Sequence, residues 1–595
     1  MNIRGVALGL ACILSFALHA ENAATPAGEP GLETPTLRSL GVFWPIKGDD
    51  NRNAVISAEY RKVGAADWRV GYPLFRIERR DKPYGDQGGK PRPPSKIAPL
   101  VPDGWLFAGS ILLLDPDTEY EIKLKLHDPD GGDVEKTLKS RTIGEPAVAK
   151  DAPVKHVAPG NGGGDGSAEN PFKGLDEAQK AAKPGDLMLV HAGTYKAPFT
   201  VTRNGEPGKP IVWRGAGDGE AAIDSGVDKE HVVGAPAILE MGKAHDVWIE
   251  KLTIKGGHNL IRAHDARNIV IRRCHLANGI CGVFAIGDAD QGHIFISDNF
   301  FEGIQPWPCT DEQWHSLPES RGVWMGGTGN VVCYNRFSHW KDGIDTADCA
   351  RCDAVDFHNN DVSECFDDGT ELDGSERNVR CFFNRYTNVF QGISFQPVYG
   401  GPVYAFRNTL YNCQVEPFKL HNGPSGGLVI HNTIVKNGQP NLMQTGEPVT
   451  NFVYRNNLFV GTQGRAFHFD SPMPHCDFDY DGYAGFSGDV FLKWDGVKYN
   501  TPDDVREKCP VYKHIITLDA ATLFASGLKA PDSNQKVFEP AKIDLRLKEG
   551  SPAIDAGEVL PNFNDGFAGK APDLGALEFG QEPPFYGIRP ETPSK

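Results

Sequence analysis

Apolar and polar residues alternate along AVISAEYRKV (54–63) and YEIKLKLHD (120–128), the period-two pattern of half-buried strands. Gly, Pro and Asp turns lie between them, so residues 33–145 read as a small β-sandwich. A different pattern opens after a short linker. In NPFKGLDEAQKAAKPGDLMLVHAGTY (170–195), Leu175, Ala178 and Ala181 or Ala182 recur at helical spacing, Pro184-Gly185 stops the helix, and an apolar strand follows.

Beyond this point the pattern becomes periodic. Asn followed two positions later by an apolar or aromatic residue recurs at Asn335, Asn360, Asn384, Asn408, Asn432 and Asn457, at intervals of 25, 24, 24, 24 and 25 residues. Asn299 lies 36 residues before Asn335, with a Pro- and Trp-rich insertion at 303–320 between them. A repeat of this length predicts a solenoid. Asn at one turn position of every coil predicts an amide ladder, each side chain satisfying buried backbone groups of its own and the adjacent turn. The short helix running into Pro-Gly-Asp and a strand looks like the N-terminal cap of a right-handed parallel β-helix. The expected architecture is therefore all-β: the sandwich, a right-handed parallel β-helix over 153–475, and C-terminal coils with a capping segment over 476–595. Within the last, residues 544–580 resemble the closing segment of β-helix proteins. In the first unit, Leu114-Asp-Pro-Asp-Thr-Glu-Tyr120 resembles the fibronectin type III pattern Leu-x-Pro-x-Thr-x-Tyr, which implies a fibronectin type III-like domain whose Tyr hydroxyl ties a corner.

Aligning the repeats stacks Gly322-Val-Trp-Met, Gly343-Ile-Asp-Thr, Gly369-Thr-Glu-Leu, Gly392-Ile-Ser-Phe and Pro417-Phe-Lys-Leu. The inward positions hold Val323, Ile344, Thr370, Ile393 and Phe418, then Met325, Thr346, Leu372, Phe395 and Leu420. The position between them points outward and reads Trp324, Asp345, Glu371, Ser394, Lys419, with Asp373, Gln396 and His421 one step further on. Coils stack roughly 4.8 Å apart, which puts Lys419 about 10 Å, or two coils, from Glu371. Asp342, Asp367 and Asp368 sit in the turns just before these strands.

Composition narrows what such a wall could bind. A formal net charge of −17 argues against nucleic acid and anionic membranes as partners, and any polyanion would need a local cation. Residues 1–24 (MNIRGVALGLACILSFALHAENAA) read as an export signal, with Arg4 ahead of an apolar run and small residues after it, so a secreted or periplasmic monomer is expected. Of twelve Cys, eleven follow that segment. Their spacings match no small disulfide framework, and Cys349-x-x-Cys352 lacks a second pair at zinc spacing, so buried core thiols are expected.

Asp342, Asp345, Asp367, Asp368 and Glu371 converge on one patch. Outward acids on a solenoid are usually just solvated, but five together repel one another unless a cation compensates. All-oxygen donors favour Ca²⁺ over transition metals. The set Asp342-Gly343, Asp367-Asp368-Gly369-Thr-Glu371 and Phe418-Lys419-Leu420 resembles the family 9 polysaccharide lyases, of pectate lyase type. The resemblance implies calcium on Asp342, Asp367, Asp368 and Glu371, and Lys419 as the base of a β-elimination in an acidic polysaccharide. Two departures stand out: Glu371 replaces the family's Asp, and His421-Asn422 replaces its Gly. Asp373, Gln396, His421, Arg407, Trp324, Trp340 and Tyr399 are candidate substrate contacts. Two other functions stay open. A polygalacturonase-like hydrolase would use paired carboxylates, such as Asp345 with Asp367 or Asp368. A non-catalytic glycan-binding solenoid would use aromatic platforms drawn from Trp307, Trp314, Trp324, Trp340, Tyr399 and Tyr404.

Overall fold

The structure is a computed structural model describing residues 21–78, 104–287, 291–346, 352–444 and 446–591. Most of the export-signal stretch and Cys349 fall outside these residues.

Two antiparallel sheets come first. One orders Thr25–Pro26, Leu40–Lys47, Gly104–Ile111 and Phe75–Ile77, with Gly31–Leu32 at its side; the other orders Arg69–Val70, Val55–Lys62, Glu119–His127 and Val134–Arg141. Strand alternation turns Ile56, Tyr60, Ile122 and Leu124 inward against Val42, Trp44 and Ile46. Tyr120 Oη accepts from the Asp115 N–H at 3.0 Å, which ties the corner that the Leu114–Tyr120 motif suggested. The unit docks on the solenoid through polar contacts. Ser110 Oγ donates to Asn378 Oδ1 (2.9 Å), Arg380 Nη1 donates to Ser110 Oγ (3.0 Å), and Arg377 pairs with Glu33.

The helix Leu175–Ala181 buries Leu175 and Ala178; of the two long parallel sheets, one opens with Phe172–Lys173, Val154–Ala158 and Leu187–Val190, the other with Gly193–Lys196. A representative turn supplies Val331–Cys333 to the first sheet, then Arg336–Ser338 and Asp342–Thr346 to the second. The protein is thus mostly β, with a parallel β-solenoid as its main body. Parallel stacking continues past residue 475, through Asp477–Asp479, Gly482–Ala484 and Ile516–Thr517.

The ladder runs as the spacing predicted. Nδ2 of Asn299, Asn335, Asn360, Asn384, Asn408 and Asn432 donates to Oδ1 of the next Asn at 2.9–3.1 Å, and Asn457 donates to Asp481 Oδ1 at 2.9 Å. Each residue just before a ladder Asn adopts positive φ, from Asp298 (57°) through Arg407 (53°) to Asn456 (59°), which turns the chain between walls. The C-terminal segment braces this corner and its neighbouring wall. Leu545, Leu547, Ala553, Leu574 and Ala576 pack on Val435 and Leu458. Further on, the Gly587 N–H donates to Asn359 O (2.9 Å), Arg589 clamps Asp298, and Glu591 pairs with Lys251. Of the ten described cysteines all but Cys476 are buried. No described helix is long and apolar enough to cross a membrane.

Candidate functional site

Backbone register reproduces the outward column read from the sequence. Trp324 pairs with Asp345, Asp345 with Glu371, Glu371 with Ser394, and Ser394 with Lys419, while Phe284 extends the column one turn earlier. The ten flanking inward residues, Val323 to Leu420, are all buried. A second outward column lies three places before the first, where Arg321 pairs with Asp342 and Asp368 with Gln391. The register slips between Cys365 and Asp368, and such a bulge re-aims side chains, here Asp367 and Asp368. A Cβ on Gly343 would stand 2.5 Å from Gly369 O, so the Asp-Gly pairs let successive turns close up behind the acids.

These acids are not a solvated row. Asp342, Asp345, Asp367 and Asp368 are buried, and the Glu371 side chain keeps 14% exposure. One oxygen each from Asp342, Asp368 and Glu371 lies within 4.8 Å of the others. The Asp368 N–H donates to Asp342 Oδ1 at 3.2 Å, whereas Asp368 Oδ1 is buried with no hydrogen-bond partner. Burial, reinforced by neighbouring acids, pushes the Asp342 and Glu371 carboxyls well above the usual range. Burial also pushes Asp368 up to about 8, against the pull of Lys419. A hard cation suits this donor set: three clustered carboxylates, one orphaned oxygen, and charges too costly to bury together unpaired.

Lys419 leaves its strand two turns from Glu371, but its side chain reaches back along the groove instead of staying about 10 Å away. Nζ lies 2.7 Å from Asp368 Oδ2 and 3.9 Å from both Asp367 Oδ1 and Glu371 Oε1. Burial alone would lower its pKa; Asp368, Asp367, Glu371 and Asp373 outweigh that and hold it well above the ordinary lysine value. With these acids ionised the ammonium is favoured.

Asp345 and Asp367 stand beside the triplet rather than in it. Asp345 pairs with Arg321, whose guanidinium also lies 3.9 Å from Asp342 and 4.6 Å above the Trp324 ring. Asp367 accepts from Gln391 Nε2 at 3.4 Å. Asp373 Oδ1 accepts from Ser394 Oγ and the Gln396 N–H, both at 2.7 Å, and burial pushes its carboxyl up to about 7. His421 Nε2 lies 2.8 Å from Glu416 Oε2. Trp324 is half-buried, edge-on to Phe284 at 5.3 Å.

Four aromatic or basic candidates lie away from the acid cluster. Trp340 is fully buried in the solenoid core, with Nε1–H donating to Phe301 O at 3.2 Å, so it plugs the coil and lines no groove. Arg407 occupies the positive-φ corner before Asn408 and donates to Phe563 O and Ala576 O of the C-terminal brace, which removes it from the site. Tyr404 packs under the N-terminal unit, where its Oη accepts from the Ser110 N–H at 3.1 Å. Tyr399 opens the strand Tyr399–Phe406 of the first sheet, on the adjoining wall. Arg321, Gln391 and Glu416 escaped the sequence reading. All three occupy the place immediately before the aligned Gly or Pro, one column to the left of the strand residues. The 303–320 insertion packs against the residue preceding Asp342: Gln305 Nε2 donates to Ser320 Oγ (3.0 Å), Glu319 pairs with Lys341, and Lys341 Nζ lies 4.7 Å from the Trp314 ring centre.

A family model described as "Right handed beta helix region" matches residues 237–397. The "Uncharacterized protein YwoF" of Bacillus subtilis (strain 168) is 27% identical over 151 residues, which is 25% of this chain and 29% of that protein. The chain therefore spans under a third of this relative's length. Among solved structures, pectate lyase Pel9A is 18% identical over 72% of this chain and 96% of its own, with a TM-score of 0.41. An alginate lyase from Paenibacillus sp. str. FPU-7 is 15% identical over 54% and 96%, with a TM-score of 0.26. A catalytic domain of GH87 α-1,3-glucanase bound to nigerose is 12% identical over 78% and 92%, with a TM-score of 0.30. The family match and the parallel register agree on the fold: the body of this protein is a right-handed parallel β-helix.

Proposed function

We propose that the chain is an exported, calcium-dependent polysaccharide lyase that cleaves a uronic-acid-containing polysaccharide by β-elimination, with Lys419 as the base. The observation carrying this reading is an amine set 2.7 Å from Asp368, within a cluster of three carboxylates on one groove wall. The proton alpha to a uronate carboxylate is weakly acidic while that group is anionic. Calcium on Asp342, Asp368 and Glu371 would supply the positive charge that holds the substrate carboxylate and spreads charge developing beside it. Lys419 must be neutral to accept the proton. The acids facing it oppose that, so engaging their charge with a cation favours the free amine. Arg321 pairs with Asp345 and stacks over the half-buried Trp324 ring beside the cluster.

The test is a panel of polygalacturonate, rhamnogalacturonan, alginate and bacterial exopolysaccharide, followed by ultraviolet absorbance of unsaturated uronate ends. Absorbance that disappears on chelation and returns with calcium is expected; reducing ends released without it would overturn the reading. That second result would favour a glycoside hydrolase, for which Asp368 (about 8) and Asp373 (about 7) offer carboxyls still protonated near neutrality.

A further inference from the structure

Resting on that lyase reading, we propose that His421, pinned by Glu416, is the proton donor to the departing sugar oxygen. Positions 419 and 421 share the outer face, because Leu420 between them is buried in the core. Glu416 stands on the other side of Lys419, at the end of the column holding Asp342, Asp368 and Gln391; its carbonyl accepts from the Gly392 N–H at 2.9 Å. The imidazole therefore spans the Lys419 position, with Nε2 2.8 Å from Glu416 Oε2. The other Glu416 oxygen accepts from the Gln444 N–H, and that side chain is only 1% exposed. Both carboxylate oxygens are thus committed and the ring is fixed. The His421 side chain keeps 28% exposure, and with Nε2 engaged, Nδ1 is the nitrogen left for a ligand.

Lys419 reaches from this turn towards the acids; His421 and Glu416 flank its base. An elimination needs a base on one side of the scissile unit and a donor at the oxygen that leaves. In the step, Lys419 Nζ takes the C5 proton, the C5–H electron pair becomes the C4–C5 double bond, and the C4–O bond breaks. The departing oxygen takes the proton from Nδ1 of the imidazolium, while Nε2–H remains on Glu416. One proton arrives on the lysine and one leaves the histidine; solvent exchange restores both.

The experiment compares two substrates: the panel polysaccharide that is cleaved, and a hexuronic acid glycoside carrying fluoride at C4, which leaves without needing a proton. His421→Ala should lower turnover of the polysaccharide about 10²-fold or more, with most of the loss erased on the fluoride. His421→Gln, which can still bond Glu416, should behave as His421→Ala does, and Glu416→Gln should give a smaller loss with the same leaving-group pattern. Equal losses on both substrates, or none on the polysaccharide, would overturn the assignment. Lys419→Ala should lose both substrates alike; if it keeps them, the lysine-base reading fails independently of His421.

Discussion

Lys419→Ala removes the ammonium that faces Asp368, Asp367 and Glu371, and its effect on stability separates a structural role from a chemical one. Asp368 is fully buried and Lys419 only 8% exposed, so solvent screens the pair little. Breaking a buried ion pair by deleting one partner costs about 3–5 kcal/mol. The pH window follows from the two shifts. Lys419 titrates well above its ordinary value, so it stays charged through pH 9. Asp368 holds its proton up to about 8 in the fold but only to its ordinary value when unfolded, so its ionisation weakens the fold as pH rises through that interval. At pH 5 the variant should be nearly as stable as the parent. The penalty should set in as pH rises past about 8, where the parent's Asp368 ionises against Lys419, and should keep growing at higher pH because losing Lys419 lifts the Asp368 carboxyl further. At roughly 2.1 cal/mol/K per residue, a 595-residue chain melting as one unit has an unfolding entropy of about 1.2 kcal/mol/K, so the full penalty corresponds to a drop in Tm of about 2–4 °C. Calcium at a hundred times its Kd should return about 2.7 kcal/mol, or about 2 °C, to the variant. Turnover should stay down about 10²–10⁴-fold. Scanning calorimetry at both pH values, with and without calcium, alongside the absorbance assay, is the measurement. A variant equally destabilised at pH 5 and 9, or one whose activity returns with calcium, would refute the reasoning.

Calcium affinity by titration calorimetry should fall at least tenfold from pH 8 to pH 5, with protons released on binding, because the triplet must surrender protons held by burial and mutual repulsion; an affinity indifferent to pH would count against the triplet. Asn384→Ala should cost about 3–5 kcal/mol in denaturant unfolding, since it orphans the buried Asn360 N–H and Nδ2 donors and loses the bonds to Phe357 O and Asn408 Oδ1. Arg589→Ala strips Asp298 of its two-pronged partner, the group that holds that carboxyl low although burial would raise it. A loss of about 2–3 kcal/mol and faster proteolysis of the C-terminal brace should follow, with elimination activity unchanged because the brace lies on another corner; a variant with parental melting would show the clamp to be idle.

Much of the scaffold was legible in the chain. The Asn spacing alone located the corner, and the alternation it fixed gave the correct inward residues and the outward column from Trp324 to Lys419, because a ladder locks register and a strand has a period of exactly two residues per repeat. Where a side chain ends was not legible. Lys419 bends back two turns to Asp368, Asp345 is claimed by Arg321, and the register slips just before Asp368, since long side chains choose among partners that pattern cannot rank. Trp340 and Arg407 likewise carry the residue types of a sugar site yet fill the core and the braced corner. Sequence determined the coil, its register and the wall on which the acids gather. Tertiary packing decided which of those acids meet, which are neutralised, and how the lysine is charged, because burial and charge pairing depend on distances in space that no spacing along the chain records.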